Sequence, residues 1–176
     1  MQKNWYIIYT KPKCEKKVTS ILIKRKIEYF FPLNWKETVS IRKRKMHQEP
    51  LFKSYIFVHV EESDIERLKS INGVLNLLYW KGTPAIINKE EIRVIKEFID
   101  AFQDIRIEKY CVNAAEKSQS IDDFRYSLSG NVLIIKNSVV KANLPSLGFS
   151  IIAKVERDNS LISNFGFVDN TYEMQL

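Results

Sequence analysis

The chain is poor in the residues that build covalent or metal frameworks. Its two cysteines, Cys14 and Cys111, lie far apart and form no pair motif. A disulfide scaffold is therefore excluded, and both read as free thiols of a reducing cytosol. The two histidines, His47 and His59, have no cysteine at metal-ligand spacing, which argues against a zinc site. Five dispersed glycines leave no Gly-rich phosphate loop. No serine sits in a nucleophile-elbow context. No apolar run approaches the ~20 residues that span a bilayer. The opening MQKNWYIIYT passes at once into Lys11, Pro12 and Lys13 without a small-residue cleavage site, so a secretory signal is not expected. These absences point to a cytoplasmic protein that is not an enzyme, with no cofactor, no metal and no membrane partner.

Acidic residues are scarce at one end only. Residues 1–60 carry 14 Lys/Arg against 4 Asp/Glu, and residues 61–176 carry 14 against 17. The whole net charge of +7 thus sits in the first third. Aromatic residues are interleaved with it: Trp5, Tyr6, Tyr9, Tyr29, Phe30, Phe31, Trp35, Phe52, Tyr55 and Phe57. A basic, aromatic-rich front end points to a polyanion such as nucleic acid; the alternative is a solvated basic face over an ordinary core. Glu61, Glu62 and Asp64 form a carboxylate cluster that reads as helix capping rather than metal binding.

The pattern of the chain predicts its elements. Trp5 to Thr10 reads as a buried strand ended by Lys-Pro. Lys13 to Ile27 reads as a helix with Val18, Ile21 and Leu22 on one face and Lys13, Lys17 and Lys24 on another. Glu28 to Trp35, broken by Pro32, suits an edge strand or a bend. Lys36 to Glu49, with Arg42, Lys43, Arg44 and Lys45, reads as a basic loop or hairpin. Pro50 to Val60 reads as a strand with Tyr55, Phe57 and His59 on one face. Ser63 and Glu66 form a capping-box pattern before a short helix. Asn72-Gly73 signals a turn into a strand through Trp80, and Asn88 caps a helix through Phe102. Strands at 132–136, 139–144 and 150–156 suggest a small β-barrel, with a further piece at 166–168. The expected architecture is α+β: an antiparallel sheet with flanking helices over residues 1–105, a linker over 106–126, and a small barrel with a tail over 127–176.

The segments WYIIYTKPKCEKKV, FFPL, EPLFKSYIFVHV and INGVLNLLYWKGTPAII resemble, in order and spacing, the N-terminal domain of the NusG family. The segment LSGNVLIIKNSVVKANLPSLGFSIIAKVE resembles the KOW barrel that follows it in that family. The short length and the LPSLGF turn are most similar to the specialised RfaH-like and UpxY-like paralogues encoded with long polysaccharide operons. The resemblance implies a transcription elongation and antitermination factor that binds the clamp helices of RNA polymerase and suppresses pausing and termination; the alternatives are a housekeeping NusG-type elongation factor or a general RNA-binding module, and a monomer is expected because the partner surfaces are already committed. It implies that Tyr9, Phe52, Tyr55 and Phe57 line the polymerase-binding pocket. It implies that Ile65 to Arg67 touch the opposite jaw of the cleft, and that Lys11, Lys24, Arg25 and Asn72 face the non-template DNA strand. Lys13, Lys17 and the Arg42–Lys45 run extend the basic surface on charge alone, toward DNA or nascent RNA. Ribosomal protein S-ten and the termination factor Rho are the partners the resemblance offers for the barrel. Two departures stand out: Lys53-Ser54 replaces the family's Pro-Gly, and the usual glycine-rich lead into the barrel is missing.

Overall fold

The computed structural model describes residues 2–39, 44–109, 124–128, 131–136 and 139–154. The centre is the antiparallel pair β1 (Asn4–Thr10) and β5 (Tyr55–Val60), in which Tyr9 faces Tyr55, Ile7 faces Phe57 and Trp5 faces His59. β2 (Glu28–Phe30) and β6 (Val74–Leu77) flank it, giving the order β2-β5-β1-β6. Successive side chains of a strand point to opposite faces, so each face needs its own cover. On one face, α1 (Glu15–Lys24) and α2 (Ile65–Lys69) bring Val18, Leu22, Ile65 and Leu68 onto Tyr6, Ile8, Ile56 and Val58. On the other, α3 (Lys89–Ala101) brings Ile92, Ile95 and Phe98 onto Trp5, Ile7 and Phe57. Burial on both faces explains why the two central strands read as nearly continuous apolar runs.

The ambiguous basic stretch is a hairpin of β3 (Leu33–Val39) and β4 (Arg44–Pro50). Opposite charges support its pairing where Lys36 meets Glu49. Pro32 separates β2 from β3, and its carbonyl still accepts the Leu51 N–H at 2.9 Å. A smaller hairpin joins β7 (Tyr79–Trp80) to β8 (Thr83–Pro84). Its tip, Lys81-Gly82, has φ of +48° and +82°. Two positive φ values are what a tight hairpin turn demands, and glycine supplies the second without strain. Asn88 caps α3 as the pattern predicts, its side-chain oxygen accepting the Glu90 N–H at 3.0 Å. The predicted capping box at Ser63 and Glu66 is not made: Asp64 is the N-cap of α2 and has no side-chain cap bond, and Glu66 instead binds Lys69 at 2.7 Å. An opposite charge within one turn competes successfully for that carboxylate.

The second sheet has five strands in the order β10-β11-β12-β13-β9. They are β9 (Arg106–Lys109), β10 (Phe124–Leu128), β11 (Asn131–Lys136), β12 (Val139–Leu144) and β13 (Phe149–Lys154). Part of the expected linker is therefore strand. Ile107 pairs with Ile151 and Arg106 with Ile152, so the segment just after α3 forms an edge of the C-terminal sheet. Where a barrel was expected there is an antiparallel sheet, and among the described residues β9 and β10 do not pair, so no closed barrel is found. The expected piece at 166–168 lies outside them. No helix among the described residues is long and apolar enough to cross a membrane.

The two sheets share one apolar cluster. Leu51, Phe52, Phe57, Phe98, Phe102 and Ile105 join Val140, Ala142, Leu144, Ile151 and Ala153 of β12 and β13. Asn34 fastens the junction: its amide group donates to the Ile105 carbonyl at 2.9 Å and accepts the Ile105 N–H at 3.1 Å. Both bonds are buried, so the side chain satisfies two backbone groups that water cannot reach.

Candidate functional site

Four aromatic residues singled out from the sequence are brought together at one end of the β1–β5 pair. Tyr9 and Tyr55 are cross-strand partners whose rings meet edge to face at 5.5 Å. Tyr9 is 41 % exposed, and the β1–β6 register shifts between it and Thr10. Such an irregularity bends a strand and re-aims its side chains. Phe57 is fully buried behind Tyr55, between Phe30 and Phe52, each with ring centres 5.8 Å away. Phe52 is only 4 % exposed. It packs edge to face on Phe57 and lies 6.2 Å from Phe149, the first residue of β13. The aromatic cluster is thus half open: Tyr9 faces solvent, Tyr55 is half-buried, and the C-terminal sheet sits on the phenylalanine end.

The loop that carries Phe52 owes its shape to Ser54. This residue has φ of +65°, a conformation that glycine adopts without cost and serine does not. Its N–H donates to the Glu15 carboxylate at 3.2 Å, and its carbonyl accepts the Thr10 N–H at 2.8 Å. Thr10 and Glu15 are both buried, so α1, β1 and the loop are tied at one point. These partners hold the positive φ in place.

The C-terminal sheet is latched to α3 through a carboxylate. Glu91, 3 % exposed, accepts the Ser146 N–H at 2.9 Å and the Ser146 hydroxyl at 2.6 Å. Ser146 belongs to the Pro145–Gly148 turn between β12 and β13, where Gly148 has φ of +69°. Charge-assisted hydrogen bonds of this length are the strong kind. The helix expected from Asn88 through Phe102 contains Glu91 but gives no signal for this contact, since its partner is 55 residues away.

The basic residues divide into two groups. Lys11, Lys13 and Lys17 are exposed around the start of α1, beside the exposed Asn72. The Lys11 N–H donates to the Gly73 carbonyl at 2.8 Å, which holds that turn against the helix. A Cβ on Gly73 would stand 3.0 Å from Val18 Cγ2, so the close approach requires glycine. Lys24 and Arg25 are exposed at the other end of α1, where the Arg25 guanidinium donates to the Arg67 carbonyl at 3.1 Å. Arg44 and Lys45 lie on the separate β3–β4 hairpin, with Arg44 3.7 Å from Glu37. Arg42 and Lys43 lie outside the described residues.

Ile65, expected at the opposite jaw of the cleft, opens α2. It is 5 % exposed, because α2 turns its apolar stripe, Ile65 and Leu68, onto the inner core. Arg67, on the same helix, is exposed and bonded to Asp64 at 3.0 Å. Nearby, Lys69 is held above the ordinary lysine range, chiefly by its hydrogen bond to Glu66 and then by Tyr79. No cluster of three or more His, Cys, Asp or Glu suited to a metal occurs among the described residues. Sequence reasoning also missed the exposed Trp80 on the small hairpin and Met46, while Trp35, named among the front-end aromatics, is exposed.

The fold and the sequence both find relatives. A solved structure described as "Domain interaction in Thermotoga maritima NusG" superposes with a TM-score of 0.50, covering 89 % of this chain and 99 % of that one at 18 % identity. No curated protein matches the sequence. A family model described as transcription termination factor NusG matches residues 3–96, more than half of the 176 residues. Together with the sandwiched four-stranded sheet on those residues, this match establishes that the chain belongs to the NusG family.

Proposed function

We propose that the protein is a transcription elongation and antitermination factor that binds the clamp helices of RNA polymerase through the Tyr9–Tyr55 end of its first sheet. The observation that carries this is the half-open aromatic site. A tyrosine pair, Tyr9 exposed and Tyr55 half-buried, continues inward to Phe52 and Phe57, and an apolar residue of the chain's own C-terminal sheet, Phe149, sits where a partner helix would enter. Aromatic clusters at the rim of a covered pocket are suited to helix-in-groove recognition. The described arrangement is then the closed state, and release of the C-terminal sheet completes the site. Released, that sheet is free for a second partner, ribosomal protein S-ten or Rho. The exposed lysines along α1 supply phosphate contacts to the non-template strand or nascent RNA. Lys53-Ser54 in place of Pro-Gly favours a specialised factor acting on a long surface-polysaccharide operon in the cytoplasm.

The test is binding of the full chain to isolated clamp helices. Truncating a central interface aromatic commonly costs ~2 kcal/mol, about thirtyfold in affinity. Tyr9→Ala, with circular dichroism showing an intact fold, is expected to lose about that much. Unchanged affinity would remove Tyr9 and this surface from the interface.

A further inference from the structure

We propose that a cleft of about 150 Å³ at the C-terminal end of α1 binds a terminal phosphate, that is, a phosphate monoester. It lies on the opposite side of the first sheet's rim from the aromatic site and uses different residues. Its walls bring together Lys3, Arg25, Lys26 and Arg67 with Glu28 and Asp64. Both carboxylates already have partners: Asp64 holds Arg67 at 3.0 Å, and Glu28 holds the His59 ring at 2.7 Å. Lys3 and Lys26 have no ion-pair partner among the described residues, and Arg25 donates only to a backbone carbonyl. Four cations against two carboxylates leave a formal charge of +2 with His59 neutral, which matches a phosphate monoester dianion. The volume is well below the ~300 Å³ of the smallest ordinary ligand pockets, so the cleft suits one tetrahedral anion and not a whole nucleotide.

Cations at a helix C-terminus also complement the helix dipole, and Lys24 and Arg25 do so here. That effect does not account for Lys3, which comes from the start of the chain, or for Arg67, which comes from α2. Lys26 stands one residue past the Arg25 C-cap, where the dipole favours a cation as well. This residue closes α1 with φ of +55°, the position where glycine is the low-energy choice. The chain keeps a strained lysine there, and that lysine lines the cleft. The same positive φ occurs at Lys13 and Lys81, so it is turn geometry there as here, and what marks the cleft is the set of four cations, Lys3, Arg25, Lys26 and Arg67, that line it. His59 is fixed in turn by stacking on Trp5, with ring centres 4.9 Å apart, so the Glu28 carboxylate is held at the edge of the cleft.

Two sources share this chemistry: a small phosphorylated molecule and the 5′-phosphate end of a nucleic-acid strand. Calorimetric titration of the full chain with AMP, adenosine, and a short oligo-dT with and without a 5′-phosphate distinguishes them. AMP binding that adenosine does not reproduce supports the cleft with a small ligand. Tightening of the oligonucleotide by its 5′-phosphate, beyond AMP, assigns the cleft to a strand end. Lys26→Gly is the decisive variant. It is expected to raise the melting temperature by relieving strain while weakening binding roughly tenfold, the scale of one lost charge-assisted hydrogen bond. Glu28→Gln, which removes a negative charge from the rim, is expected to tighten binding. Equal binding of phosphorylated and unphosphorylated probes, or a Lys26→Gly protein that binds like the wild type, would overturn the assignment. Either result leaves the clamp-helix site untouched.

Discussion

Replacing Glu91 with alanine removes the two carboxylate bonds that hold the Pro145–Gly148 turn on α3 and leaves the Asn88 N–H donating to the Ser146 hydroxyl oxygen at 3.5 Å. Each hydrogen bond to a charged group contributes about 1.5–3 kcal/mol net. Two such bonds set an upper range of about 3–6 kcal/mol. The loss will be smaller, because Ser146 is exposed and water can replace the carboxylate at its N–H and hydroxyl. Contacts such as Phe52–Phe149 and the Asn34–Ile105 clamp also remain. A value near 2 kcal/mol follows, which multiplies the undocked population by about thirty. Native-state hydrogen exchange reads this directly. Amides of β12 and β13 are expected to exchange faster in Glu91→Ala, while those of β1 and β5 keep their rates. Identical exchange across β12 and β13 in the two proteins would show that the latch does not hold the sheet.

Other substitutions probe the scaffold. Ser54→Gly relieves a positive φ and is expected to stabilise the chain by up to ~1 kcal/mol in chemical denaturation; a loss of stability would show that the backbone there is not strained. Asn34→Leu leaves the buried N–H and carbonyl of Ile105 unpaired, at about 1–3 kcal/mol each, and a denaturation midpoint equal to the wild type would contradict the clamp. Leu22→Ala, in a fully buried position against the first sheet, is expected to cost about 2–5 kcal/mol. Gly73→Ala forces a Cβ toward Val18 and destabilises the turn at α1; a neutral effect on the melting temperature would refute the close approach.

Local pattern carries the first hundred residues well. The alternation of Tyr55, Phe57 and His59 against Ile56, Val58 and Val60 marks two faces, and both faces are buried against different helices. The Asn88 cap is legible because its oxygen bonds a backbone N–H two residues away. The capping box fails because Lys69 competes for Glu66, a choice that composition does not settle. β9 is hidden because RIEK has only one apolar residue, Ile107, and owes its pairing to β13. Of the site, the four aromatics are legible as a set, since register brings Tyr9 to Tyr55 and the loop folds Phe52 onto Phe57. What covers them is not. Phe52–Phe149 and Glu91–Ser146 join residues that are 97 and 55 positions apart, and no local periodicity reports such pairs.

The central claim is that the C-terminal sheet of this chain closes the polymerase site. The direct measurement is the affinity of the full chain for isolated clamp helices in three forms: wild type, Glu91→Ala, and Glu91→Ala with Tyr9→Ala. When only the undocked fraction binds, apparent affinity scales with that fraction. Glu91→Ala is therefore expected to bind more tightly than wild type, by up to about thirtyfold, and the added Tyr9→Ala to reverse the gain. Equal or weaker binding by a folded Glu91→Ala protein would contradict the claim.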